Sequence, residues 1–247
     1  MESWISQIEK ELRECGQILL HADRSGVGID EKAGHANFVT TYDKMIQERL
    51  ADRLPRILPG AVFVGEEEDI HASIARGYAF IVDPIDGTTN FIKDYHCSCI
   101  SVGVAKDGEP YAGVVYNPYL DEMFTAQTGC GAYLNGKPIH VSDKPLSQGI
   151  VLLGSAPYYE ELNEETFRLA WKYFREALDL RRSGSAAIDL CSIAAGRAEL
   201  YFELKLSPWD YAAGMVMVRE AGGRVTTIDG GPVTLDRPCA ILATNER

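Results

Sequence analysis

Apolar residues in the first twenty positions recur at spacings of three and four, at Ile5, Ile8, Leu12, Cys15 and Leu19. They predict an amphipathic helix over about 3–22, with glutamate and lysine on its outer face. A stretch with three glycines follows, from Gly26 to Gly34, and reads as a loop in which Lys32 is free to swing toward an anion. Ile46, Leu50 and Leu54 restore the helical period until Pro55, where the pattern predicts the helix to stop. Short apolar runs at 61–64 and 78–82 read as strands, the second buried. From residue 97 the pattern changes to strands separated by turn residues, over 97–105, 111–116, 122–128 and 132–139, the last folded at Asn135-Gly136. This spacing predicts an antiparallel meander. A strand at 150–154 opens a second half. It continues with a helix over about 160–176, a strand near 177–182, a small-residue helix from 185 to about 195 and a strand at 200–203. A helix over 211–220 capped by Asp210, stopping at Gly222-Gly223, and strands at 224–228 and 240–244 complete the pattern.

Several of these elements end in carboxylates. The run Val82-Asp83-Pro84-Ile85-Asp86-Gly87-Thr88-Thr89-Asn90-Phe91 places two aspartates at a strand end, where Pro84 fixes the backbone and Gly87 permits a tight turn. Two carboxylates held that close repel unless a cation lies between them. Thr88-Thr89-Asn90 suits a helix N-terminus, which favours a phosphate. An ordinary turn with an Asx cap is the competing reading. Glu66 follows a strand and a glycine, so parallel neighbours ending together would bring it beside Asp83. Glu67, Glu68 and Asp69 read as a solvated helix start. Asp43 in a first helical turn and Asp210 at an N-cap both have sufficient structural reasons. Glu203, at a strand end, has none.

The chain of 247 residues is 46% hydrophobic and 24% charged, the composition of an ordinary globular protein. Its formal charge of −12 argues against nucleic acid or an anionic membrane as the main partner. An acidic protein that handles phosphate needs a bridging cation. No run approaches the ~20 apolar residues of a membrane span, and the N-terminus lacks the basic flank of a signal peptide, so a cytoplasmic location is expected. Six cysteines without a C-x-x-C pair read as small buried apolar residues.

Taken together, Gly65-Glu66-Glu67, Asp83-Pro84-Ile85-Asp86-Gly87-Thr88-Thr89-Asn90-Phe91 and Trp209-Asp210-Tyr211-Ala212-Ala213-Gly214 resemble the inositol monophosphatase family of metal-dependent, lithium-sensitive phosphatases. The likeness covers essentially the whole chain, as one domain over 1–247 in an α-β-α-β-α sandwich. It puts most metal ligands in an N-terminal half of about 1–145, and Asp210 with the substrate contacts in about 146–247.

The resemblance implies that Glu66, Asp83 and the Ile85 carbonyl hold one Mg²⁺, that Asp83, Asp86 and Asp210 hold a second, and that a weaker third binds near Glu66. It gives Thr88, oriented by Asp43, a part in activating the water nucleophile. Gly87 and Thr88 would hold the phosphate, and Ser185, Ala186 and Glu203 the alcohol portion of the substrate. Lys32 would lie in a metal-responsive loop. The implied activity is hydrolysis of inositol monophosphate, commonly by a homodimer. Fructose 1,6-bisphosphate, 3′-phosphoadenosine phosphates and NADP are the substrates of relatives with the same carboxylates, and a regulatory, non-catalytic role is the remote alternative. Two departures stand out. The sequence stops at Arg247 where many relatives continue into a final helix, and Arg181-Arg182 precedes the small-residue helix, either to recognise a second anionic group or as an exposed strand end. A haloacid-dehalogenase reading fails because the aspartates are one residue too far apart, and because Glu66 and Asp210 would go unused.

Overall fold

In the computed structural model, residues 1–24, 28–31, 38–67, 73–157 and 159–246 are described. Lys32, Glu68 and Asp69 lie outside them. Two helices, α1 (Ser3–Leu20) and α2 (Thr41–Ile57), are followed by a seven-stranded sheet. Strands β1 (Ile29–Glu31) and β2 (Phe38–Thr40) form a separate antiparallel pair. The seven strands are β3 (Val62–Gly65), β4 (Tyr78–Asp86), β5 (Cys99–Lys106), β6 (Glu109–Asn117), β7 (Glu122–Gln127), β8 (Gly131–Leu134) and β9 (Lys137–Ile139), paired in that order. Only β3 and β4 run parallel; from β4 onward the sheet is the expected antiparallel meander. Between β4 and β5 lies a short helix, α3 (Thr88–Ile92). The second half contributes β10 (Ile150–Leu153), α4 (Asn163–Phe174), β11 (Asp179–Arg181), α5 (Ala186–Ala194), β12 (Leu200–Leu206), α6 (Pro208–Glu220), β13 (Arg224–Thr226) and β14 (Cys239–Thr244). Its five strands pair in the order β11-β10-β12-β14-β13.

Side-chain alternation along β4 builds the layers, because successive residues of a strand point to opposite faces. Phe80 and Val82 face α1 and α2, in a core shared with Ile8, Leu12, Ile46 and Leu50. Ala79 and Ile81 face the other way, onto α5 and α6. Those two helices are covered in turn by Tyr201, Ile241 and Ala243 of the five-stranded sheet, whose far face, with Val151, Leu153 and Phe202, carries Leu169 and Ala170 of α4. The order is therefore helices, sheet, helices, sheet, helix, as the resemblance implied. Buried from Tyr211 through Val218, α6 is apolar on every side, which is what a helix between two sheets requires.

Four expectations are corrected. Pro55 sits inside α2, which runs on to Ile57; Leu50 and Leu54 are fully buried and Leu58 N–H still reaches the Leu54 carbonyl at 3.0 Å, so packing outweighs the one bond that proline removes. Glu67 lies in a bend rather than a helix, its N–H held by Gln47 Oε1 at 2.9 Å. Of the cysteines, Cys15, Cys99 and Cys191 are buried, but Cys97, Cys130 and Cys239 are partly exposed. Asp210 is not the cap of α6: Ser207 is, and Asp210 stands three residues in, where its carboxylate accepts the Ser207 N–H at 2.7 Å.

Candidate active site

The parallel pairing of β3 with β4 sets Gly65 opposite Val82, and Glu66 N–H bonds the Val82 carbonyl at 3.2 Å. Glu66, one residue past the end of β3, therefore stands beside Asp83 of β4. A Cβ at position 65 would lie 2.2 Å from Gln47 Oε1 and push that side chain from the Glu67 N–H it accepts. Asp83 and Asp86 do not follow the strand, as the turn reading had it; they lie within β4, which persists to Asp86 through a register shift against β5. The shift supplies the extra residue that aims both carboxylates into one cleft. The turn falls at Gly87, whose φ of 89° and contacts with the Cys97 and Gly184 carbonyls, 3.0 and 3.2 Å from where a Cβ would stand, exclude a side chain.

A cleft of about 190 Å³ gathers these residues. Glu66, Asp83, Ile85, Asp86, Gly87 and Thr88 from the first half of the chain line it together with Ser185, Ala186, Glu203 and Asp210 from the second. Thr88 Oγ1 lies 3.3 Å from Asp43 Oδ1 and 3.1 Å from the Ile85 carbonyl, and donates toward them. Asp43 is fixed by Thr40, whose N–H and hydroxyl both donate to Oδ2, at 2.7 and 2.5 Å. Asp86 Oδ2 accepts the Ser185 hydroxyl at 2.5 Å and the Ala187 N–H at 2.7 Å, which joins the end of β4 to the start of α5. Asn90 reinforces the junction by donating to the Cys97 and Ser183 carbonyls at 2.6 and 2.9 Å.

The metal, phosphate and alcohol contacts that the resemblance assigned, Glu66, Asp83, Ile85, Asp86, Gly87, Thr88, Ser185, Ala186, Glu203 and Asp210, all line this cleft, and Asp43 lies behind Thr88; Lys32 is outside the described residues. Glu203 is nevertheless not at a strand end. It lies inside β12 where the register against β14 shifts, and accepts the Tyr201 hydroxyl at 2.8 Å and the Ala156 N–H at 3.0 Å. Gly154 makes room for it, since a Cβ there would lie 1.7 Å from Glu203 Oε2. The two arginines part company: Arg181 pairs with Asp179 at 2.5 Å on the surface, whereas Arg182 lines the cleft, its Nε donating to Ser155 Oγ at 2.9 Å. Asp189, also buried in the cleft wall, was missed by the sequence reading, although it stands one helical turn beyond Ser185 and so shares its face.

The sequence pattern of the inositol monophosphatase family matches residues 1–247. The chain belongs to that family. It is 33% identical to the inositol-1-monophosphatase of Bacillus subtilis, over 99% of this chain and 94% of that one. It is 39% identical to the Nus factor SuhB of Salmonella typhimurium, over 89% and 83%. Among solved structures, the extragenic suppressor protein suhB from Bartonella henselae matches with a TM-score of 0.92 at 31% identity, over 99% of this chain and 95% of that one.

An inositol monophosphatase family site made of these carboxylates is electrostatically loaded. Burial pushes Asp83 well above the usual carboxylate range, and the charges of Glu66, Asp86, Asp210 and Asp43 push it further. Asp210 is raised well above that range by burial and then by Glu66 and Asp86. For Asp86 burial dominates, raising it to about 6 despite the Ser185 and Ala187 donors. Among the described residues no arginine, lysine or histidine pairs with Asp83, Asp86 or Asp210. Nor is any group of three or more acidic, histidine or cysteine side chains among them already gathered to hold a metal ion. The donor set still fits a hard divalent cation: oxygen only, multiply anionic, buried and without a cationic partner for three of its members.

Proposed function

We propose that the chain is a Mg²⁺-dependent phosphomonoesterase that hydrolyses inositol monophosphate to inositol and phosphate by attack of an activated water. The observation that carries this reading is the convergence of Glu66, Asp83, Asp86 and Asp210, from three different parts of the sequence, on one cleft that also holds Thr88. Glu66, Asp83, Asp86, Asp210 and the Ile85 carbonyl would hold two ions, with room for a third near Glu66. When bound, the ions supply Lewis acidity toward the phosphate and leaving oxygen and lower the pKa of water.

Thr88 acts through its hydroxyl. The proton of Oγ1 is directed to Asp43 and the Ile85 carbonyl, so its lone pairs are left to accept a hydrogen bond from the attacking water and orient it; if the water's proton moves to Oγ1, the Oγ1 proton passes to the Asp43 carboxylate. Asp43 is raised to about 6, chiefly by burial, yet its two Thr40 donors favour the carboxylate form that takes up this hydrogen bond. Gly87 leaves the phosphate side of the cleft open. Ser185 positions Asp86, and Glu203, raised to about 7 by burial, faces the alcohol portion as a hydrogen-bonding partner for a hydroxyl.

Thr88→Ala should lower turnover by roughly a hundredfold or more while the Mg²⁺-induced rise in melting temperature stays near that of the unsubstituted chain. Equal loss of turnover and of Mg²⁺ response would make Thr88 structural. A second reading, a bisphosphate or nucleotide as substrate, is favoured by Arg182 in the cleft wall. Phosphate release from myo-inositol 1-phosphate, fructose 1,6-bisphosphate, 3′-phosphoadenosine 5′-phosphate and NADP, with Mg²⁺ and with or without Li⁺, tests both. Preference for the inositol ester, suppressed by Li⁺, is expected. Preference for a doubly anionic substrate would shift the selecting role from Glu203 to Arg182, and no release from any would favour a regulatory role.

A further inference from the structure

We propose that Ser101 is a positioning residue for the metal site, donating its hydroxyl to the Asp83 carboxylate when Asp83 holds cations. Ser101 is fully buried, and its Oγ has no hydrogen-bond partner among the described residues. A buried hydroxyl in that state is held at a cost, because the bond it makes to water in the unfolded chain is not replaced. The β4–β5 ladder pairs Ser101 directly with Asp83, so the two side chains stand on one face with Cβ atoms about 4.5–5.5 Å apart. Alternation fixes which face. Ile81, Cys99 and Ala105 lie in the core beneath α5 and α6, whereas Ile100 and Val102 lie in the one beneath α1 and α2. Ser101 therefore backs Asp83 on the side of the sheet where the carboxylate enters the cleft.

The needs of the two groups are complementary. Asp83 Oδ1 accepts the Ile85 N–H at 3.0 Å, and Oδ2 accepts from no donor among the described residues. Asp86 differs: its Oδ2 takes the Ser185 and Ala187 donors, and the thiol of Cys99, its partner across the ladder, lies 3.8 Å away. An ionised carboxylate offers about four lone-pair sites. With Ile85 N–H on one and the Ser101 hydroxyl on another, two are left, as a carboxylate shared by two ions requires. A rotation of Ser101 about χ1 is enough to bring its hydroxyl to Oδ2. The bond is charge-assisted, and it holds the carboxylate plane against turning as the ions bind.

This role rests on the proposed reading of Asp83 as a metal ligand, and titration calorimetry with Mg²⁺ on the full chain separates the two. Ser101→Ala should bind Mg²⁺ roughly ten- to a hundredfold more weakly. Its metal-free form should melt no lower than the unsubstituted chain, since the deleted hydroxyl has no partner there. Ser101→Thr keeps the hydroxyl and should bind Mg²⁺ within about threefold of the unsubstituted chain. Unchanged Mg²⁺ affinity in Ser101→Ala would overturn the proposal, and so would weaker binding accompanied by a lower metal-free melting temperature, the signature of a structural serine. A folded Ser101→Thr that binds as weakly as Ser101→Ala would overturn it as well. If Ser101→Thr does not fold by circular dichroism, the alanine variant decides alone. No Mg²⁺ binding by the unsubstituted chain would instead remove the metal reading, and the role of Ser101 with it.

Discussion

Replacing Asp210 by asparagine is expected to lower phosphate release by roughly a thousandfold or more while leaving the fold intact. The asparagine carbonyl can still accept the Ser207 N–H that Asp210 accepts at 2.7 Å, so the first turn of α6 keeps its cap. What disappears is one negative charge from a cluster whose members raise one another's pKa. In the metal-free chain that loss relieves repulsion, so the variant should melt no lower than the unsubstituted protein. The difference should appear on adding Mg²⁺. At a hundred times its dissociation constant a ligand stabilises by about 2.7 kcal/mol, which for a chain of this length is a rise of roughly 5–10 °C. Calorimetry should show that rise in the unsubstituted chain and little of it in Asp210→Asn. Asp86→Asn should behave alike, because an amide oxygen can take the Ser185 and Ala187 donors. Full turnover in either variant would remove these aspartates from the metal site.

The reach of the sequence can be judged on such residues. Amphipathic spacing located α1, and turn residues located the meander, including the bend at Asn135-Gly136, where both residues have positive φ. The Glu66–Asp83 neighbourhood was also legible, because a residue that follows a strand and a glycine lands beside the next residue of a parallel neighbour, although β4 runs on past Asp83 to Asp86. Geometry created by pairing was not. The register shifts that keep Asp83 and Asp86 inside β4, and Glu203 inside β12, depend on the partner strands, and no local pattern encodes them. Asp210 was displaced by three residues because Ser207-Pro208 and Asp210 both satisfy a helix start, and only the observed hydrogen bond separates cap from third residue. Arg181 and Arg182 are chemically identical in the sequence, and their opposite fates follow from the alternation of a strand end at the sheet edge.

Gly113→Val is expected to destabilise the chain by about 3 kcal/mol or more, a fall in melting temperature of roughly 6–12 °C. Gly103 and Gly113 face each other across the β5–β6 ladder, and α6 crosses directly over them. A Cβ on Gly113 would stand 2.6 Å from the Ala213 carbonyl oxygen and 2.8 Å from its Cα, backbone atoms that cannot rotate aside. On Gly103 the nearest atom is the Ala212 methyl at 2.6 Å, with the Ala213 nitrogen at 3.1 Å. Either substitution must lift α6 from the sheet, and Gly113→Ala should cost more than Gly103→Ala because it meets the backbone first. The helix that lifts is the one whose first turn carries Asp210, while Asp83 and Asp86 stay with β4. Lifting therefore separates the carboxylates that share a cation in the proposed mechanism. Gly113→Ala should accordingly lose Mg²⁺-dependent stabilisation even at temperatures where circular dichroism shows it folded. A Gly113→Val protein that melts within a degree of the unsubstituted chain would refute the close approach. A Gly113→Ala protein with lowered stability but a full Mg²⁺ response would show that the sheet-to-helix distance does not govern the metal site.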